Sequence, residues 1–215
     1  GELPAMFKAG MWIVDSEEGT RYIFDKFASE NAMGIMQFQF NVETNPLLYY
    51  ESLKDYKIKL IALTKPGTVL RNQLDKVKKS KAHISMGLGG GTWFMPRWLS
   101  AYNYRPIDDP VCNGQPSMIQ DGKTVCDAYS VIFTELYGYN IGGNTYPNDW
   151  NAWKEVVQFT AKYYYEDEFN DKDLGNVKGL GIKELSFCFG HEPDWGIFGS
   201  ENDFFLMYEN TAKAV

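Results

Sequence analysis

The chain of 215 residues has few basic side chains. Its 21 Lys and Arg stand against 28 Asp and Glu, which gives a formal net charge of -7. Nucleic-acid phosphates are bound by clustered Lys and Arg, so this balance disfavours a nucleic-acid partner. The one dense basic run, residues 76 to 81, fits the solvent face of a helix, and the alternative interpretation is a docking patch.

Long apolar stretches are also missing. No run approaches the roughly 18 residues that cross a bilayer, so we expect no membrane span. The first residues, Gly1-Glu-Leu-Pro4, lack the basic and then apolar pattern of a secretory signal.

Metal-binding side chains are scarce. The two histidines, His83 and His191, and the three cysteines show no zinc spacing, so we expect neither a metal nor a cofactor. His83 lies in an apolar run and is expected to be a hydrogen-bonded core residue. Cys188 is expected to be a small buried hydrophobe.

Two cysteines flank a polar segment that is rich in turn-forming residues. Cys112 and Cys126 enclose Asn113-Gly-Gln-Pro-Ser117, a spacing that suits a disulfide closing a surface loop. Such a bond implies an oxidising compartment, so we expect an extracellular or secreted protein. The alternative is two unrelated free thiols.

Aromatic residues are abundant instead. The 14 Tyr, 14 Phe and 6 Trp make up 16% of the chain, and several stand beside Gly, Pro and Asn in expected loops. Exposed aromatic side chains in loops often serve binding.

Strand-like and helix-like segments alternate, which favours a β/α fold with a parallel sheet. Predicted helices begin near Ser16, near Leu70 with Leu74 and Val77 in one stripe, after Asn148-Asp149, and at the capping box Ser200 to Asp203. The predicted strands are Met6 to Val14, Gly34 to Phe40, Lys57 to Leu63, Ala82 to Leu88 and Ile182 to Phe189. Residues 100 to 147 interrupt this order and predict a long functional loop, with one β-like run from Tyr129 to Tyr137.

The sequence Phe189-Gly-His-Glu-Pro-Asp-Trp195 directly follows the last of these strands. A carboxylate at the end of an apolar strand is partly desolvated, which raises its pKa and suits Glu192 to donate a proton. His191 could donate a hydrogen bond to a sugar hydroxyl, and Trp195 could stack on a sugar ring. A glutamate that merely caps the loop or meets a lysine is the alternative.

This stretch resembles the Trp-Asn-Glu-Pro motif of retaining glycoside hydrolases. Three further blocks are similar to family 39, the β-xylosidase and α-iduronidase group: residues 91 to 100, 149 to 157 and 204 to 215. The chain departs from the motif at Gly190 and His191, where the family usually has Trp and Asn.

The resemblance implies a (β/α)8 TIM-barrel type fold, of which this chain forms about the first half, strands 1 to 4 with their helices. We therefore expect one partial barrel domain over residues 1 to 215, with an insertion at about 100 to 147. The strand at Lys57 to Leu63 would belong to an insertion or a hairpin, because the half barrel needs four strands.

The same resemblance implies a double-displacement mechanism with Glu192 as general acid/base. The family's nucleophile lies on a later strand, so we expect none in this chain. Glu135 is interpreted as a structural or loop glutamate. Trp93 and Trp98, in the loop after the third expected strand, are candidate sugar platforms or packed core residues.

Two functions remain open at this point. The first is a retaining glycoside hydrolase acting on a polysaccharide or glycoside. The second is a non-catalytic subunit that binds a glycan or assists assembly. In both, we expect a second polypeptide, a C-terminal half or self-association to complete the barrel.

Overall fold

The computed structural model describes residues 9–13, 33–38, 51–80, 83–87, 95–131, 141–188 and 199–215. The chain divides into two compact units. The parallel-sheet unit comprises Gly1–Pro46, Lys54–Leu88 and Gln158–Cys188. The disulfide unit comprises Leu47–Leu53, Gly89–Val157 and Phe189–Val215.

The described residues contain four α-helices and nine strands. The helices are α1 (Leu53–Leu63), α2 (Val69–Ser80), α3 (Trp150–Tyr165) and α4 (Glu201–Ala214). The strands are β1 (Ala9–Ile13), β2 (Met33–Phe38), β3 (His83–Gly87), β4 (Tyr104–Pro106), β5 (Ser117–Gln120), β6 (Lys123–Asp127), β7 (Glu168–Asp171), β8 (Gly175–Lys178) and β9 (Leu185–Cys188).

Four strands of the parallel-sheet unit form one parallel sheet in the order β1-β2-β3-β9. Each of them overlaps a predicted strand, so these four predictions are confirmed. The fifth is wrong, because Lys57 to Leu63 lies inside α1. Its buried side chains, Tyr56, Lys57 and Leu60, recur at three- and four-residue spacing, which is the period of a helix.

The predicted TIM-barrel type fold is wrong. Between β3 and β9, the described part of the chain forms five strands that pair antiparallel in two separate sheets, β4-β6-β5 and β7-β8. A (β/α)8 barrel has all strands parallel in one closed sheet, whereas the parallel sheet of the described residues has four strands, with β1 and β9 at its two edges. The difference arises from turn residues. The two-residue turn Asp121-Gly122 joins β5 to β6, and a three-residue turn followed by Gly175, with a φ of 73°, joins β7 to β8. Such short turns favour hairpins over helical crossovers.

The β5-β6 hairpin lies where the sequence predicted only a long loop. Asp121 and Gly122 form its two-residue turn, with φ values of 50° and 75°. Two positive φ values define the type I′ turn, and Asp-Gly is among its preferred sequences.

The predicted β-like run from Tyr129 to Tyr137 is wrong at its start, because Tyr129 lies in a 3-10 turn, Ala128–Ser130. Residues 132 to 137 lie outside the described ranges.

Three predicted helices are confirmed. Helix α2 covers the stripe at Leu70 to Val77. Helix α3 begins after Asp149, whose Oδ1 accepts hydrogen bonds from the backbone N–H groups of Asn151 and Ala152. Helix α4 begins with the expected capping box between Ser200 and Asp203. The helix predicted near Ser16 lies outside the described residues.

Polar contacts join α1 to the last turns of α3 inside the parallel-sheet unit. The hydroxyl of Tyr56 is 2.5 Å from Thr160 Oγ1, and Thr64 Oγ1 is 2.6 Å from the hydroxyl of Tyr163. Burial raises the pKa of Tyr56 to about 12, although its hydrogen bond to Thr160 lowers it. The phenol is therefore neutral throughout the physiological pH range.

A buried lysine joins α1 to the β7-β8 hairpin. Lys57 is 2% exposed, and its Nζ lies 2.7 Å from both Asp171 Oδ2 and Asp173 Oδ2. The same ammonium lies 5.2 Å from the centre of the Phe159 ring. Burying a charge is costly unless it is paired, and two carboxylates satisfy this one.

Within the described ranges, no helix is both long enough and apolar enough to cross a membrane. This agrees with the expectation from the sequence.

Candidate functional site

The candidate site begins at the edge where two neighbouring parallel strands end. Strands β3 and β9 pair in register, with Ser85 opposite Ser186, Met86 opposite Phe187 and Gly87 opposite Cys188. Since the strands are parallel, their last paired residues, Gly87 and Cys188, lie at the same edge. Ligands of open α/β sheets bind outside the carboxyl ends of the strands.

Most of the predicted site residues follow these two strand ends in the sequence. Glu192 stands four residues after the end of β9. Trp93, His191, Glu192 and Trp195 lie outside the described residues, so their roles stay predictions. The same holds for Glu135.

Trp98 is the one predicted sugar platform that the structure describes. Its side chain is half-buried. We define residues 95 to 100, which include it, as the Trp98 segment. Met95 and Leu99 of this segment are buried at 1% and 0% exposure. The backbone on both sides of the indole is therefore fixed by packing.

Hydrogen bonds hold the Trp98 segment at both ends. The backbone N–H of Met95 donates to the carbonyl of Gly143 at 2.9 Å, and the hydroxyl of Tyr129 donates to the Met95 carbonyl at 2.8 Å. At the other end, the Asn148 N–H donates to the Leu99 carbonyl at 2.7 Å, and its Nδ2 donates to the Trp98 carbonyl at 3.1 Å. A ring on such a segment is preorganised, which favours binding because less conformational entropy is lost.

Arg97, next to Trp98, forms a two-bond ion pair with Asp127 at the end of β6. Its Nη1 lies 2.6 Å from Oδ1 and its Nη2 lies 3.0 Å from Oδ2. Nη2 also donates to Ser130 Oγ at 3.1 Å. The hydrogen bond to Asp127 raises the pKa of Arg97, against the opposing effect of burial.

Tyrosine rings cover the arginines of this region. The Arg97 guanidinium lies 4.7 Å from the centre of the Tyr129 ring and 5.7 Å from that of Tyr104. The Arg105 guanidinium lies 5.2 Å from the Tyr102 ring centre and is paired with Asp109 at 2.7 Å. Such contacts combine cation–π attraction with ion pairing.

The disulfide unit contains the disulfide at the pair that the sequence predicts. Cys112 and Cys126 are joined with a Cα–Cα distance of 5.7 Å, and both are buried. Cys126 directly precedes Asp127 on β6, so the covalent bond and the ion pair to Arg97 act on adjacent residues. The disulfide therefore helps to hold Asp127 in place.

The chain matches no family model, no curated protein and no solved structure. The interpretation of this site therefore depends on its residues and their geometry. Across the described ranges, no group of three or more His, Cys, Asp or Glu is arranged to hold a metal ion.

Sequence reasoning missed the Arg97–Asp127 pair. The two residues are 30 positions apart, and neither lies in a motif. A usable signal was present, because Asp121-Gly122 predicts a hairpin whose second strand ends at Asp127. Pairing that hairpin with Arg97 still required the tertiary structure.

Proposed function

We propose that the chain carries the acid/base residue of a retaining glycoside hydrolase that acts on a polysaccharide or glycoside. The observation that carries the proposal is the pairing of β3 with β9 in register up to Gly87 and Cys188. In the sequence, the segments with the predicted site residues, 88 to 100 and 189 to 198, directly follow these two strands.

The proposed chemistry assigns two proton transfers to Glu192. In the first step, its carboxylic acid protonates the glycosidic oxygen while a second carboxylate attacks the anomeric carbon and forms a glycosyl-enzyme. In the second step, the Glu192 carboxylate takes a proton from the water that hydrolyses this intermediate. We propose that a polypeptide segment other than these 215 residues, either a C-terminal half or a second polypeptide, supplies the nucleophilic carboxylate.

Two further features support a glycan-binding role outside the cell. The Trp98 segment is fixed by the hydrogen bonds of Tyr129 and Asn148, as a stacking platform requires. The disulfide between Cys112 and Cys126 is typical of proteins in oxidising compartments.

Replacing Glu192 by Gln tests the proposed acid/base role. We expect kcat on glycosides with poor leaving groups to fall by about 10²- to 10⁴-fold, because protonation of the leaving group is lost. Glycosides with very acidic leaving groups should lose less, since they need little protonation. The measurement is steady-state hydrolysis of an aryl glycoside series that differs in leaving-group pKa.

Glu184→Gln is the matched control, because this exposed carboxylate lies just before β9, at the opposite end of the strand from Glu192. It should leave the kinetics unchanged. Equal activity of Glu192→Gln and the original protein on all leaving groups would exclude the acid/base assignment.

A non-catalytic glycan-binding or assembly subunit is the second candidate. It is favoured by Gly190 and His191, which replace the Trp and Asn that the resembled motif usually has. Binding of a glycan without turnover of any aryl glycoside, even after addition of a polypeptide that supplies a second carboxylate, would support this candidate. Turnover that depends on Glu192 would exclude it.

A further inference from the structure

We propose that the glycan taken by the disulfide unit is uncharged, with neither carboxylate nor sulfate groups. This inference rests on the proposed function, because it names the class of glycan for the same site. Two observations support it: the acidic net charge of the disulfide unit, and the ion pairs that its arginines form with protein carboxylates.

The acidic charge of the chain is concentrated in the disulfide unit. Its sequence ranges contain thirteen Asp and Glu against five Lys and Arg, whereas those of the parallel-sheet unit contain fifteen against sixteen. An acidic polymer approaching the disulfide unit therefore meets a repulsive field. The field reaches about 8 Å at physiological ionic strength, which is long enough to act on a bound chain.

Arg97, the arginine nearest to Trp98 in the sequence, is already bound by a protein carboxylate. A sugar carboxylate or sulfate is best bound by the two-pronged guanidinium edge. In Arg97 this edge is bound to Asp127 through Nη1 and Nη2, at 2.6 and 3.0 Å. The faces of the same group lie near the rings of Tyr104 and Tyr129. An acidic sugar would have to displace a protein carboxylate to reach it.

Arg105 is engaged in the same manner. Its Nε and Nη2 both bind Asp109 Oδ2, at 2.8 and 2.7 Å, and its guanidinium lies near the Tyr102 ring. Lys213, on α4, is paired with Glu209. Three of the five basic side chains of the unit are thus neutralised by a protein carboxylate.

The neutralising carboxylates stay ionised in mildly acidic solution. Burial opposes ionisation of Asp127, but hydrogen bonds from Arg97 and Ser130 bring its pKa below the ordinary value. The backbone N–H of Val111 is the main cause that lowers the pKa of Asp109, with a further contribution from Arg105. The arginines are therefore not released when an acidic glycan is offered at pH 5 to 7.

Uncharged sugars suit the remaining surface of the unit. Of the tryptophans that the structure describes in this unit, Trp98 and Trp150 are half-buried and Trp153 is buried. Tyr104 is 37% exposed beside Arg97. Aromatic rings bind the apolar faces of sugar rings without requiring charge. Such contacts are unaffected by the acidic field that repels an anionic polymer.

The test measures binding of soluble glycans to the Glu192→Gln protein, which prevents turnover from depleting the polymer. The panel contains arabinoxylan and mixed-linkage β-glucan as uncharged polymers, polygalacturonate and heparin as acidic ones, and chitosan as a basic one. We expect an uncharged polymer to bind with an affinity that changes less than about twofold between 50 and 300 mM NaCl. At 50 mM NaCl, the acidic polymers should bind at least about tenfold more weakly than the uncharged polymer.

Equal or tighter binding of an acidic polymer, or binding of chitosan alone, would overturn the inference and leave the proposed glycan-binding function standing. Binding of none of the polymers would overturn both. These outcomes separate the failure of the inference from the failure of the proposed function.

A pair of variants tests the role of the engaged arginine. Asp127→Asn removes the charge that neutralises Arg97, and Asp121→Asn removes one charge from the exposed hairpin turn. We expect Asp127→Asn to gain about fivefold in affinity for polygalacturonate at 50 mM NaCl, and Asp121→Asn to gain less than about twofold. If Asp127→Asn does not fold, Asp109→Asn frees Arg105 instead and keeps an oxygen that can accept the Val111 N–H. Equal gains in both variants would overturn the explanation.

Discussion

The two units bury or expose their charges in opposite ways. The parallel-sheet unit has nearly balanced charge and buries a lysine, Lys57, between two aspartates. The disulfide unit is strongly acidic and keeps its best ion pair, Arg97 with Asp127, partly exposed, with both side chains above one third of their full accessibility. Buried pairs matter for stability because a lost partner leaves a desolvated charge, whereas exposed pairs contribute little. We therefore expect the loss of an ion-pair partner to cost stability in the parallel-sheet unit, and the charges of the disulfide unit to act mainly on its proposed glycan surface.

The largest expected effect comes from removing the buried lysine. Lys57→Met leaves Asp171 and Asp173 without their cation, and we expect the free energy of unfolding of the parallel-sheet unit to fall by about 3 kcal/mol. The measurement is urea denaturation followed by hydrogen exchange of α1 and β7. Lys59→Met is the matched control, since Lys59 is a partly exposed partner of Asp55 one turn away, and it should cost at most about 0.5 kcal/mol.

The acid response of the same variant is a second readout. Burial opposes ionisation of Asp171, but the hydrogen bond from Lys57 brings its pKa below the ordinary value. A lowered folded-state pKa stabilises the fold above the unfolded-state pKa, and this contribution is lost as the pH falls through the folded-state value. The original protein should therefore lose stability below about pH 4 more steeply than Lys57→Met. Parallel acid profiles would contradict the assignment of Lys57 as the main stabilising partner.

Removing the disulfide should weaken only the other unit. The bond closes a segment with a sequence separation of 14, so the double variant Cys112→Ser, Cys126→Ser should lose about 3 kcal/mol of stability. Hydrogen exchange should accelerate in β4, β5 and β6 and stay unchanged in β2 and β3. Equal acceleration in both sets of strands would show that the two units unfold together, and would contradict the expectation that the disulfide stabilises only one of them.

The smallest expected effect is at the hairpin turn of the disulfide unit. Gly122 has a φ of 75°, which an L-residue with a Cβ adopts at a cost, and an added Cβ would meet no atom within 4 Å. Gly122→Ala should therefore cost about 1 kcal/mol through backbone strain alone. The change in the urea midpoint measures this, and a cost above that of losing the disulfide would indicate a contact that the structure does not describe.

Local patterns predicted elements of both units. The short apolar runs around Ile35 and Ile84 identified strands, and the caps at Asp149 and Ser200 identified helix starts, because these signals lie within a few neighbouring residues. Lys57 to Leu63 was misassigned, since a run of Ile, Leu and Ala fits a strand as well as a helix when its periodicity is overlooked. The barrel was inferred from resemblance, and the local turn chemistry at Asp121-Gly122 argued against it.

The candidate site was predictable only in part, for a different reason. The position of Glu192 after an apolar strand is visible in the sequence, and the adjacency of β3 and β9 follows from the order of a parallel sheet. The support of Trp98 by Asn148 and Tyr129 is not visible, because it joins residues 30 to 50 positions apart through backbone carbonyls. Every residue has a backbone carbonyl, so the sequence does not indicate which residue accepts such a hydrogen bond.

The ammonium of Lys57 occupies the place that a dissolved cation would take in an aspartate-lined turn. Because it is covalently attached to helix α1, 114 residues before Asp171 in the sequence, its stoichiometry is fixed and it is never diluted or removed by a chelator. We therefore expect the turn of the β7-β8 hairpin to form late in folding, since its neutralising charge arrives only when distant parts of the chain have met. We also expect the geometry of this turn to depend little on the dissolved cations, because its counter-ion is part of the chain.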